Sequence, residues 1–454
     1  MNNLITKDRG FYQKLLRLAL PIAGQNLIVF ALNMLDTIML GSLGENEIAA
    51  AGQANQPFFI FTLFLFGIAS GSSVLISQYF GKKDKLSMER ILAFAITLSA
   101  VISAIFMTLV LLFPETAMRI YSKDDTVIAL GVKYLRIIAP SYLLTAISTT
   151  YLSVIRAAEE VKIPLKVNFF ALCLNGVLNY LLIFGKLGLP AMGVEGAALA
   201  TLIARIVEFG IVVFLILRRR DKFALLPSHF LHWNKALIFD FIKYATPVIL
   251  NETIWGLGVS MYSVIFGQMG TSVVAAYNVA QVFEKFAMVA LMGVANSATI
   301  MLGQHLGAGR KEDPLLYART ILLTAFVLSV GVFVLLIAIN PFIFNIYKIS
   351  PDAIDTARKL LYVISAAALV KSITSTGIVG ILRSGGDTRY ALFLDGTGMW
   401  CVGLICGFIA WKLGLPAWGV YIAFMLDEVY KMALCIRRIA SGKWIRNITR
   451  EQLQ

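Results

Sequence analysis

The chain has 454 residues, of which 58% are hydrophobic and 15% charged, with a formal net charge of +14. Soluble domains of this length carry roughly a quarter charged residues, so a soluble enzyme or binding module is excluded and an integral membrane protein is expected. The basic excess does not point to nucleic acid, because lysines and arginines gather in alternate loops and not along one stripe.

Apolar stretches of about 20 residues recur between short polar breaks, which is the spacing a bilayer imposes on helices. The ten-residue alternation of a membrane barrel is not visible. Twelve spans are predicted, roughly at 14–41, 48–80, 91–113, 130–155, 163–185 and 193–218, then 239–267, 273–306, 318–340, 353–381, 390–411 and 416–438. The first follows a charged start and is repeated internally, so it is expected to belong to the fold. The breaks at Lys82-Lys83-Asp84-Lys85, 156–166, Arg218-Arg219-Arg220, Arg310-Lys311 and 383–389 are basic, whereas 41–47 and 267–272 lack Lys and Arg. Both termini are therefore expected in the cytoplasm of a multi-pass plasma or inner membrane protein. The longest polar interruption, 218–235, joins the halves, and its Pro227 and Trp233 suggest a segment along the inner membrane surface or an ordinary loop.

The halves are copies of each other. A shift of 226 residues (247 − 21) carries Pro21 onto Pro247, Gly41 onto Gly267, Gly44 onto Gly270, Gly67 onto Gly293, Gln78 onto Gln304 and Gly81 onto Gly307. The run Lys-Leu-Gly-Leu-Pro-Ala at 186–191 returns at 412–417. An even number of spans per copy gives both the same orientation, so an axis along the membrane normal is expected between them. The expected organisation is a six-helix lobe at 1–218, a cytoplasmic linker at 219–236, a second six-helix lobe at 237–438 and a cytoplasmic tail at 439–454. The symmetry breaks at Asp36, whose counterpart is Tyr262. A carboxylate at mid-bilayer costs several kcal/mol unless protonated, paired or ion-bound, so Asp36 is expected to mark a functional site in one half, the alternative being a structural acid hydrogen-bonded to neighbouring helices.

Other polar residues inside spans are weaker signals. Asn175 and Asn179 lie one helical turn apart and share a face, for ion binding or for interhelical hydrogen bonds. Arg205 and Glu208 are spaced to pair on one helix. Glu284 and Lys285 are adjacent and point apart, so no bridge is expected within their helix. Lys371 is placed to pair with Glu252 or Asp395 and neutralise a buried acid. Arg383 and Asp387 fall in a cytoplasmic turn and are expected to brace helix ends. Tyr262, Trp255, Phe283, Phe286 and Trp400 are aromatic candidates for a cavity that takes lipophilic cations. Cys173, Cys401, Cys406 and Cys435 have no metal-like spacing and read as reduced packing residues. His229 and His232 fall in the linker and His305 at a helix end, none at triad or metal spacing. No Gly-x-x-x-x-Gly-Lys-Ser/Thr occurs, so ATP hydrolysis is not expected. A convergent catalytic set is missing, and neither an enzyme nor a cofactor is expected. A channel reading fits a symmetric oligomer better than one chain with two lobes.

Ordered motifs then narrow the reading. Pro21…Asn33-x-x-Asp36-x-x-x-x-Gly41-x-x-Gly44, Gln78-x-x-Gly81, Gln304-x-x-Gly307-Ala-Gly309, Leu382-Arg383-x-x-Gly386-Asp387-Thr388 and Gly193-Val-x-Gly196-Ala-Ala-x-Ala-Thr201 together resemble the multidrug and toxic-compound extrusion (MATE) family. The resemblance implies an all-α fold of twelve transmembrane helices in two six-helix lobes flanking a cavity. It also implies export of small cationic or amphipathic compounds driven by Na⁺ or H⁺, by a monomer held in membrane lipid. Asp36, Asn175, Asn179 and Thr201 would then form the ion site, with Asp36, Asn175 and Asn179 as ligands if the ion is Na⁺. Some relatives carry an acid where this chain has Asn179. Glu252 would lie on the cavity wall of the second lobe, with Asp395, Tyr262, Lys371 and Glu284 as further cavity candidates; the acid some members carry in the tenth span is matched here by Ser372. The competing expectation is a flippase for a lipid or lipid-linked oligosaccharide, whose cavity would carry several arginines.

Overall fold

The structure is a computed structural model, and it describes residues 5–218, 225–231, 234–310, 313–343 and 350–450. Arg219, Arg220, His232, Trp233, Lys311 and the end of the tail, all used in the sequence reading, lie outside the described residues.

Among the described residues the regular structure is entirely helical. The first copy comprises α1 (Arg9–Gly41), α2 (Glu45–Lys82), α3 (Lys85–Leu112), α4 (Pro114–Arg119), α5 (Asp125–Ile138), α6 (Ser141–Ala157), α7 (Lys162–Phe184) and α8 (Gly193–Arg218). After the short α9 (Pro227–Leu231) come α10 (Lys235–Gly267), α11 (Thr271–Gly307), α12 (Pro314–Ile343), α13 (Pro351–Ser375), α14 (Thr388–Gly396), α15 (Leu404–Lys412), α16 (Ala417–Phe424) and α17 (Leu426–Ala440). The duplication seen in the sequence sets the helix register. Helices α1 and α10 each have 33 residues and begin 226 apart (235 − 9). The starts of α2 and α11 (271 − 45), α5 and α13 (351 − 125), and α7 and α14 (388 − 162) keep the same offset.

The copies differ where their sequences differ. Pro140 has no N–H to donate and its ring clashes with the preceding turn, and α5 and α6 meet there at 52°. The matching position in the second copy is Ala366, and α13 runs through it unbroken. The second copy has its irregularities farther on, as π-helical turns at Thr376–Leu382 and Thr397–Gly403. Ten described helices are long and apolar enough to cross a membrane, or eleven if α5 and α6 are one bent span. The predicted twelfth span is helical but interrupted at Met425, and α17 carries Asp427, Glu428 and Lys431 buried.

The chain forms two compact units. One is made of Gly24–Ile76 and Asp84–Ala245, and its core includes Phe61, Leu65, Tyr142, Ile183 and Ala197. The other is made of Met1–Ala23, Ser77–Lys83 and Thr246–Gln454, and its core includes Phe266, Tyr277, Leu360, Val420 and Phe424. The division passes through α1 between Ala23 and Gly24, beside Pro21, and through α10 between Ala245 and Thr246, beside Pro247. Both prolines sit inside continuous helices, which membrane helices tolerate when neighbours satisfy the freed carbonyl.

The repeated Gln-x-x-Gly motifs have a shared structural purpose. At 38 residues, α2 is about 57 Å long against a hydrocarbon core of about 30 Å, so it is longer than one span requires, and its last turns adjoin the basic break at 82–85. There it crosses the end of α11. A Cβ at Gly81 would stand 2.1 Å from the Gln304 carbonyl oxygen, and one at Gly307 would stand 1.8 Å from that of Gln78. The two copies of the motif pack against each other, and each glycine makes room for the other's glutamine backbone.

Candidate functional site

In the unit holding Gly24–Ile76 and Asp84–Ala245, three helices bring the predicted ion residues together. Small residues set the spacing: a Cβ at Gly196 would lie 2.7 Å from the Leu182 carbonyl, so only glycine lets α8 approach α7 this closely. Ala197, Ala198 and Ala200 are buried along the same stretch. The approach carries Thr201 of α8 to Asn175 of α7, whose Nδ2 donates to Thr201 Oγ1 at 3.2 Å. One turn on, Asn179 Nδ2 donates to Asp36 Oδ1 of α1 at 2.6 Å and reaches Asn175 Oδ1 at 3.5 Å. Asn175 and Asn179 are 6% and 1% exposed, while Asp36 is half-buried.

Charge in this cluster is unbalanced. Among the described residues no lysine or arginine forms an ion pair with Asp36, and the nearby Arg205 is held by Glu208 at 2.5 Å. Asn179 Oδ1 is buried and has no hydrogen-bond partner among the described residues. A buried amide oxygen left unpaired is costly, and rotating the amide would turn that oxygen toward Asp36. The residue can thus donate to an ionised Asp36 or offer oxygen to a proton or cation held there. One carboxylate with neutral amide and hydroxyl oxygens is a hard-ligand set suited to Na⁺. The same groups serve a proton equally well, since a protonated Asp36 would donate to the rotated amide.

In the other unit Asp427 and Glu428 are buried and Glu252, Asp395 and Glu284 half-buried, and each of these acids faces an internal cation. Glu252 of α10 pairs with Arg383 at 2.7 Å, and Arg383 also donates to Asn251. Asn251 Nδ2 donates to Asp395 Oδ2 at 2.8 Å. Lys431 lies 2.6 Å from Glu428, 3.0 Å from Asp427 and 3.6 Å from Asp395. Thr374 Oγ1 closes the other side of Glu428 at 2.5 Å. Lys371 pairs with Glu284, which also accepts from Tyr421 at 2.9 Å.

These contacts correct the sequence reading. Lys371 reaches neither Glu252 nor Asp395 as its ion-pair partner; it is bound to Glu284. Arg383, expected at a helix end, is 2% exposed and turned onto Glu252, while Asp387 pairs with Arg438 at 2.6 Å. The expected Arg205–Glu208 pair is present. Tyr262 lies buried in the apolar cluster, stacked on Phe424 at 4.0 Å between ring centres. Phe283 is buried as well, whereas Trp255, Phe286 and Trp400 are exposed. Asn251, Lys431, Asp427 and Glu428 were missed by sequence reasoning. The available signal was glycine: a Cβ at Gly398 would meet the Lys431 stem at 2.7 Å, and one at Gly403 would lie 3.0 Å from Asp427 Cβ. Both glycines lie in the second π-helical turn, and such turns mark sites where a helix admits a neighbour. Among the described residues no group of three His, Cys, Asp or Glu is arranged to hold a metal ion.

Long apolar helices in two homologous copies, with ionisable groups paired inside them, define a multi-pass membrane transporter. The family profile described as MatE matches residues 21–181 and 247–409, and the chain belongs to that family. Its members are transporters and not enzymes. The chain is 26% identical to a probable multidrug resistance protein NorM of Thermotoga maritima, over 97% of this chain and 95% of that protein. It is 24% identical to the multidrug resistance protein MdtK of Yersinia enterocolitica, over 96% and 95% of the two chains. In fold it is similar to a MATE transporter of Vibrio cholerae, with a TM-score of 0.87 and 18% identity over 96% and 98% of the chains. A MOP superfamily transporter from Pyrococcus furiosus gives the same TM-score at 17% identity, over 97% and 99%. The all-α, twelve-helix, two-lobe layout expected from the sequence fits the fold of this family.

Proposed function

We propose that this chain is a Na⁺- or H⁺-coupled antiporter that exports cationic or amphipathic organic compounds by alternating access. The observation that carries this reading is Asp36: an intramembrane carboxylate held by Asn179 and by no internal cation among the described residues. Such a group lowers its free energy by taking a proton or a cation. Asn175, Asn179 and Thr201 complete the oxygen set around it. The relatives are named as multidrug resistance proteins, which supports small organic cargo and gives no support to the flippase alternative.

The coupling ion drives export only if it binds the two access states with different affinity. In this reading, loading of Asp36 changes how α1 packs, with Pro21 as the hinge. In support, the boundary between the two units passes through α1 two residues after Pro21. The lobes at 1–218 and 237–438, the linker at 219–236 and the tail at 439–454 belong to the same proposal, as do cytoplasmic termini and a monomer in the cell membrane. Glu252, Asp395 and Glu284 would present their partly neutralised carboxylates to cargo, with Lys371 tuning Glu284.

The test is ethidium efflux from vesicles under separately imposed Na⁺ and proton gradients, for the wild type and Asp36→Asn. Efflux that follows one gradient and vanishes in the variant supports the proposal and identifies the ion. Efflux driven by neither gradient, or untouched by the substitution, refutes it.

A further inference from the structure

We propose that the C-terminal segment 441–450 is a latch across the crossing of α2 and α11, and that it must release before those helix ends part. The parting itself rests on the alternating-access reading above. After α17 ends at Ala440 the chain turns over 441–444, yet the backbone of 445–450 is not left to solvent. Gln78, fully buried on the last turns of α2, uses both ends of its amide on main chain. Its Nε2 donates to Ser384 O at 2.8 Å and Arg446 O at 3.1 Å, and its Oε1 accepts from Ile448 N at 2.8 Å. The Arg450 N–H donates to the Tyr79 hydroxyl at 3.2 Å, and Lys82 donates to the Arg450 carbonyl. The segment is anchored at its start by Trp444, which is 0% exposed and donates to Ile439 O at 3.2 Å. Close approach there depends on Gly385, where a Cβ would meet the Trp444 carbonyl at 1.8 Å. Arg446 adds an ion pair to Asp387 at 3.7 Å.

The contacts have a directional logic. Gln78, Tyr79 and Lys82 all come from α2 of the first copy, and every group that binds them in the segment follows α17 of the second. The same α2 turns cross α11 through Gly81 and Gly307. Any motion that draws the end of α2 from α11 therefore has to break bonds to 446–450 or drag the segment along. The repeat does not impose this arrangement. Gln304, which occupies the equivalent position in the second copy, accepts from Lys14 Nζ at 3.0 Å.

The experiment is a cysteine-accessibility measurement that needs no cargo and no ion gradient. Ser77 is buried beside Gly303 at the crossing, and Ser77→Cys in a background lacking the four native cysteines reports its opening by maleimide reaction rate. Truncation after Trp444 keeps the buried indole and removes the segment that binds Gln78, Tyr79 and Lys82. Loss of these few hydrogen bonds is expected to raise the labelling rate about tenfold. Gln78→Met with the tail intact is expected to raise it less, in the same direction, and decides the matter if the truncated chain does not fold. Equal labelling in the full chain and both variants overturns the latch. A failure of the antiport reading shows separately, as absent efflux from the full chain.

Discussion

The Asp36 site of one unit and the acid cluster of the other hold their carboxylates in opposite ways. Around Asp36 the partners are neutral: an amide at 2.6 Å, then a second amide and a hydroxyl beyond it. Around Glu252, Asp395, Glu284, Asp427 and Glu428 the partners include Arg383, Lys371 and Lys431, all inside the same unit. A carboxylate already neutralised by a covalently attached cation gains little from an exchangeable one. A carboxylate with only neutral partners has that gain still available. On the proposed reading, ion exchange belongs to the Asp36 site, and structural rigidity with a tuned cargo surface belongs to the second cluster.

Substitutions can break that comparison, and the largest effect is expected at Asp36. Asp36→Asn should reduce gradient-driven efflux to background while thermal unfolding in detergent stays close to the wild type, because Asn retains the hydrogen bond from Asn179. Next in size is Lys431→Met, which strands the buried Asp427 and Glu428 and takes the cation from the half-buried Asp395. A loss of about 3–5 kcal/mol is expected for removing one partner of a buried pair, read as a lower unfolding midpoint. Adding Asp427→Asn and Glu428→Gln should recover much of it. Gly196→Val should follow, since a side chain facing the Leu182 backbone forces α7 and α8 apart; ion-dependent efflux should fall more than the unfolding temperature. Thr201→Ala is the smallest, removing one hydrogen bond worth about 1 kcal/mol, and should appear as a several-fold weaker ion dependence with full efflux at saturating ion.

Much of this arrangement was legible in the sequence, for a physical reason. Duplication and hydropathy are local or periodic signals, so the helix register followed the 226-residue offset, and the lone acid Asp36 stood out against Tyr262. The shared face of Asn175 and Asn179 follows from helical spacing alone. Pairings between distant elements carry no such signal. Arg383 looks like a loop residue because it follows the π-helical turn at 376–382, yet that turn directs it inward to Glu252. The span predicted at 416–438 passed over Asp427, Glu428 and Lys431, although their i,i+4 and i,i+3 spacing is itself a signal for pairing on one helix face. Gln78 was recognised as part of a motif, but its contacts with Arg446 and Ile448 join residues 368 and 370 positions apart.

The most direct test of the central claim is ion binding by the purified protein in detergent, followed as Na⁺ uptake and as proton release, for the wild type, Asp36→Asn and Glu252→Gln. The account predicts a saturable exchange that disappears in Asp36→Asn and persists in Glu252→Gln. Exchange that survives loss of the Asp36 charge and is abolished at Glu252 would contradict it, and would move the coupling site to the unit whose acids are already paired.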